Sequence, residues 1–119
     1  MSNAQNAKID SLKRVLIYTK IDTSKVNEYN KITDLYKEIN PDSTLFYAQK
    51  ASNLSLKSDF TFGLATAYVN KGNASIILGN YPDALKYFKT AQLEFRKVLK
   101  EDSGKKVKSG LARAYASSG

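Results

Sequence analysis

The chain has 119 residues, 42% of them hydrophobic, with two prolines, six glycines and neither cysteine nor histidine. Those totals suit one domain with a packed core, and they exclude disulfides, thiol nucleophiles, cysteine–histidine zinc sites and the side chain that titrates nearest neutrality. The formal charge of +8 would draw nucleic acid, anionic lipid or acidic peptide, but sixteen of the nineteen basic residues are lysine, and base readers favour the planar fork of arginine.

The start of the chain carries no fold signal. Ser2-Asn3-Ala4 looks like a cloning remnant, so residues 1–4 are set aside and the domain is expected over 5–119. No charged-then-apolar leader is present, and no run of eighteen apolar residues predicts a membrane span.

The first predicted helix runs from about Lys8 to Thr19, with Ile9, Leu12 and Leu16 on one face. Asp22, Thr23 and Ser24 are N-cap candidates for a second helix, Lys25 to Ile39, striped by Tyr29, Ile32, Tyr36 and Ile39. Asn40-Pro41-Asp42 ends it, because a residue before proline avoids the helical region, and the same residues suit the start of a third helix. That helix runs from Asp42 to Leu56, with Leu45, Ala48, Ala51 and Ser52 on its packing side. Ser58-Asp59 is the next expected cap, before a fourth helix from Phe60 to Leu78 that Gly79-Asn80 closes. Asn80 and Pro82 open a fifth, Tyr81 to Leu99. Asp102-Ser103-Gly104 turns the chain into a sixth, Lys105 to Ser118. No segment alternates, so the protein is predicted to be all-α.

A shift of forty residues brings landmarks into coincidence. Ala51 falls on Ala91, Tyr47 on Tyr87, Thr44-Leu45 on Ala84-Leu85, Ile39-Asn40 on Gly79-Asn80, and Gly79 on Gly119. Repetition at such a period points to stacked supersecondary units. The stretch Tyr68…Gly72…Gly79-Asn80-Tyr81…Ala84…Tyr87-Phe88…Ala91 resembles the tetratricopeptide repeat. The resemblance implies a right-handed superhelical stack of antiparallel helix pairs, about six helices in all. Residues 5–22 would form a leading helix, 25–58 repeat 1, 59–100 repeat 2, and 103–119 helix A of a truncated repeat 3. The long spacing, the turn Lys100 to Lys106 and the opening Lys8-Ile9-Asp10-Ser11-Leu12 look similar to the sensor half of Bacteroidetes-type, membrane-anchored histidine kinases or kinase-like regulators. That analogy favours a periplasmic region of a membrane-associated parent, with a cytoplasmic location as the alternative.

The same resemblance implies that helix A of each pair lines a concave groove for a protein or peptide. Carried onto this chain, the groove positions are Tyr29, Thr33 and Tyr36, then Val69, Asn73, Ile76 and Ile77, then Lys106 and Arg113. Some relatives clamp an acidic tail with basic and asparagine side chains; Asn73 and Lys106 stand at such positions, but Val69 and Gly110 replace the basic residues, so no clamp is expected. Asp34 and Glu38 sit four apart like a carboxylate pair, yet lie on a solvated helix face, and no catalysis, metal or cofactor is expected. Asn53-Leu54-Ser55 and Asn73-Ala74-Ser75 match the glycosylation triplet inside predicted helices. The apolar face of the last helix suggests homodimerisation. The alternatives are a nucleic-acid-binding fragment that uses the basic end, and a structural spacer.

Overall fold

A computed structural model describes residues 3–101. Among them are five helices: α1 (Asn3–Tyr18), α2 (Asp22–Tyr36), α3 (Pro41–Lys57), α4 (Thr61–Ile77) and α5 (Tyr81–Glu101). The expected sixth helix, with Lys106 and Arg113, lies outside the described residues. Each helix packs on its chain neighbour, and α2 also touches α4. This is the connectivity of stacked helix pairs, α2–α3 and α4–α5, with α1 leading. Among the described residues no helix is long and apolar enough to cross a membrane.

The helix ends follow local chemistry and correct the reading at several places, one of them α2, which runs Asp22–Tyr36 rather than Lys25 to Ile39 and leaves Ile39 in the turn beyond it. Helix α1 begins at Asn3 rather than Lys8, because Ala4, Gln5 and Ala7 favour helix without any apolar period to announce it. Asp22, Thr23 and Ser24 do not cap α2. Extended Ile21 precedes the helix, and Asp22 lies in its first turn, where a carboxylate suits the positive end of the helix dipole. Ser58-Asp59 closes α3 instead of opening α4. The Phe60 N–H donates to the Ser55 carbonyl at 2.9 Å and Asp59 takes φ +56°, a helix-terminating left-handed turn. Helix α4 ends in the same way, with Asn80 N–H to Ser75 O at 2.8 Å and Gly79 at φ +81°. Between α2 and α3, Asn40 Oδ1 accepts from the Ser43 N–H at 3.2 Å and Pro41 takes the first helical turn.

The second pair holds the apolar core: Ala65, Val69, Ala84, Phe88, Ala91 and Phe95. Gly72 is what admits Phe88, since a Cβ there would stand 2.7 Å from two of its ring carbons. Ala84 and Ala91 are buried on either side of Phe88. The core of the first pair is different: beside Val26 and Ile32, the residues Thr33, Thr44, Ala48, Ala51, Ser52 and Ser55 are all buried. Its hydroxyls turn back onto main-chain carbonyls, as with Ser55 Oγ to Ala51 O at 2.7 Å, so no buried donor is wasted.

Candidate functional site

Helices α2 and α4 lie side by side across a polar seam. Asn70 Nδ2 donates to Thr33 Oγ1 at 2.7 Å, and Thr33 Oγ1 donates in turn to the Asn30 carbonyl at 2.7 Å. Asn30 Nδ2 reaches the Gly63 carbonyl at 3.1 Å. The contact residues advance together along both helices, from Asn30–Gly63 to Thr33–Asn70, so α2 and α4 run parallel. Asn30, Thr33 and Asn70 are at most 7% exposed. A buried, geometrically specific polar seam fixes how two helices register.

Against that frame the expected groove residues divide. Thr33 and Val69 are fully buried, at 0% and 1% exposure, and a side chain without surface cannot meet a partner. Thr33 belongs to the seam, and Val69 packs in the core of the second pair. Tyr29 and Tyr36 are half-buried and pack against α3. Tyr36 stacks on Tyr47 with ring centroids 5.7 Å apart, and Tyr29 tilts against Tyr47 at 6.3 Å. Asn73 is half-buried, and Ile76 and Ile77 are 38% and 50% exposed. Lys106 and Arg113 lie outside the described residues. Among the described residues, no other helix covers the stripe of α4 that carries Asn73 and Ile77, which Thr66 joins at helical spacing. The matching stripe of α2 is Thr23, Asn27 and Asp34. Apolar periodicity missed Thr23, Asn27 and Thr66 because the stripe is polar. The only signal in the sequence was its spacing of four and seven residues.

Two lysines sit among tyrosines on the other side of the helix pairs. Lys13 Nζ of α1 donates to the Tyr36 hydroxyl at 2.7 Å, and the accepting hydroxyl, opposed by partial burial, holds its ammonium above the ordinary lysine range. Lys71 is 6% exposed. Its Nζ donates to Gln49 Oε1 at 2.8 Å and lies 5.1 Å and 5.6 Å from the Tyr68 and Tyr87 ring centroids. With no carboxylate bonded to it, burial pushes its pKa down. The two rings stand in for a counter-ion.

The other motifs resolve into packing. Asp34 bonds Lys37 at 3.0 Å rather than pairing with Glu38. The serine of the Asn73-Ala74-Ser75 triplet is 3% exposed. Of the repeat-defining set, Gly72, Ala84, Phe88 and Ala91 are buried, Tyr68 stacks with Tyr87 at 6.2 Å, Gly79 makes the turn, and Tyr81 is 63% exposed.

The family model described as the SusR N-terminal TPR domain matches residues 1–101 of this chain. No curated protein and no solved structure matches it.

Proposed function

The chain belongs to the SusR N-terminal TPR domain family, and from that premise we propose that it recognises a protein segment on the accessible side of α2 and α4. The observation that carries this reading is the seam. The Asn70–Thr33 bond at 2.7 Å locks two helices into one rigid wall, and the free stripes flanking it present Thr23, Asn27, Thr66 and Asn73 beside Ile77. Amide side chains donate and accept at once, so Asn27 and Asn73 can read the main chain of an extended peptide while Ile77 takes an apolar side chain. Among the residues expected in a groove, Asn73, Ile76 and Ile77 stay in this proposal, with Tyr29 and Tyr36 as flanking support.

We further read the domain as the sensory region of a bacterial signal-transduction protein, by the resemblance of its repeat length and opening segment. Partner capture would then bias the association or curvature of the stack. The test is a display selection of random peptides on the folded chain. Selected peptides should lose about tenfold in affinity on Asn27→Ala with Asn73→Ala and keep it on Tyr81→Ala. Peptides indifferent to the asparagine pair would overturn this surface.

A further inference from the structure

The end of α1 is apolar on both sides. One side faces the stack: Ile9 is 2% exposed, and Leu12, Lys13 and Leu16 are half-buried. On the other side Val15, Ile17 and Tyr18 are 50%, 76% and 81% exposed, and Ile21, in the link to α2, is 66% exposed. A side chain with three quarters of its surface free projects from the molecule rather than lining a hollow. Four large apolar side chains within seven residues thus stand at the corner where α1 turns into α2. Single exposed apolar residues are ordinary, but a cluster of this kind marks a contact surface.

The charges around the corner decide what it meets. Arg14, Lys20 and Lys25 flank the apolar cluster, and the one acid between positions 14 and 25 is Asp22. Asp22 sits in the first turn of α2, where the helix dipole opposes its charge. Among the described residues, Arg14, Lys20 and Lys25 are bonded to no carboxylate. A second exposed apolar corner lies between α4 and α5, where Ile76, Ile77, Leu78 and Tyr81 are 38% to 63% exposed. There the only charged residue from 72 to 85 is Asp83. The two corners match in apolar content and differ in charge, so an anionic interface would choose the first. Projecting aliphatic side chains, a tyrosine whose hydroxyl suits the headgroup layer, and unpaired cations beside them are what a peripheral anchor on a charged bilayer needs. A second copy is a poor occupant, because a two-fold contact through this corner would bring two sets of the same cations together.

We propose that the α1–α2 corner docks on an anionic lipid bilayer. Ile17, Tyr18 and Ile21 enter the interface, and Arg14, Lys20 and Lys25 stay with the lipid phosphates. The contact is peripheral and needs no membrane span. It uses residues outside the α2–α4 stripes, so neither reading depends on the other.

The chain has no tryptophan, so Tyr18→Trp places a single reporter at this corner and Tyr81→Trp a matched one at the other. With vesicles of phosphatidylglycerol and phosphatidylcholine at low salt, the full chain carrying Tyr18→Trp should show a blue-shifted emission that saturates with lipid and fades with added salt. Vesicles of phosphatidylcholine alone should give no shift, and Tyr81→Trp should give none with either. In the Tyr18→Trp background, Ile17→Ser with Ile21→Ser changes two exposed side chains, keeps the fold by far-ultraviolet circular dichroism, and should weaken binding about tenfold or more. Lys20→Gln with Lys25→Gln should weaken it about fivefold for each charge removed. Asn73→Ala, on the other surface, should change nothing. Vesicle binding without a blue shift at position 18 would reduce the contact to adsorption of charge and overturn the proposal. No binding to anionic vesicles at low salt, or an equal shift from Tyr81→Trp, would overturn it as well. So would a blue shift that grows with protein concentration in the absence of lipid, because that would place a second copy on the corner.

Discussion

The two helix pairs share a path and differ in what fills them. The second closes on two phenylalanines, with Gly72 hollowed to receive one of them. The first sets threonine, serine and alanine beside buried Val26 and Ile32, with Ala48 where the second has Phe88 and with Tyr29 and Tyr36 packed on Tyr47. Large rings bring apolar area and dispersion; small residues bring close backbone approach and need their hydroxyls bonded. One repeat geometry therefore tolerates two solutions at the position facing the first helix of the pair, a large ring at Phe88 and a methyl group at Ala48. The seam between them, Asn30–Thr33–Asn70, is polar in the manner of the first.

The contrast is sharpest at Phe88. Truncation to alanine should cost about 4 kcal/mol, read as a lowered denaturant midpoint, because Gly72 and the alanines beside the ring cannot collapse into the space. In the first pair the corresponding Ala48→Gly removes one methyl group and should cost about 1 kcal/mol, chiefly from helix propensity. Similar losses at the two positions would break the comparison.

The seam comes next. Asn70→Ala removes the donor to Thr33 Oγ1 and leaves space between α2 and α4, for a loss of about 2 kcal/mol. Thr33→Val should cost about as much by deleting the same bond at nearly constant volume, and the double variant should cost less than the sum. Additive losses would show that the two side chains do not act as one unit.

That seam also shows where sequence reading stops. The stripes of α3, the turn at Gly79 and the start at Asn40-Pro41 were legible, since each rests on local chemistry. Thr33 and Val69 were misplaced because a first helix of a pair touches three neighbours, and apolar periodicity marks only the faces filled with apolar side chains. Asn30 and Asn70 give no signal in the sequence and Thr33 reads as a groove residue, whereas the structure bonds Asn70 to Thr33 and Thr33 to the Asn30 carbonyl. Ser58-Asp59 misled for a related reason: serine and aspartate suit both a helix start and the turn that precedes it, and only the Phe60–Ser55 bond distinguishes them. The tyrosines at 29 and 36 gave the right stripe with the wrong neighbour, because spacing fixes a face but not what it meets.

The two left-handed turns carry the comparison to the backbone. Gly79 bears φ +81° without strain, and a Cβ there would meet nothing within 4 Å. Gly79→Ala thus isolates the conformational cost and should lose about 1 kcal/mol. Asp59 bears φ +56° with a side chain, so Asp59→Gly should gain about 0.5 kcal/mol at the end of α3. A thermal melt distinguishes the signs, and a loss at both positions would mean that the Asp59 side chain holds its own turn.

The smallest effects concern the two lysines, and here the sign is the test. Folding lowers the pKa of Lys71 below its ordinary 10.5 through burial. The penalty on its ammonium is therefore complete below the folded-state value and fades as pH rises toward 10.5. Lys71→Leu should gain about 0.5 kcal/mol at pH 7, since the tyrosine rings recover part of the desolvation cost, and that gain should shrink between pH 7 and pH 10. Folding raises the pKa of Lys13 above 10.5, first through the Tyr36 hydroxyl and against partial burial. Its contribution is complete below 10.5 and is lost only as pH climbs through the higher folded-state value. Lys13→Met should cost about 0.5 kcal/mol, and the same amount at pH 7 and pH 9. A gain from Lys71→Leu that stayed flat with pH would show that the leucine acts by packing alone, and that the buried amine carries no charge to be relieved.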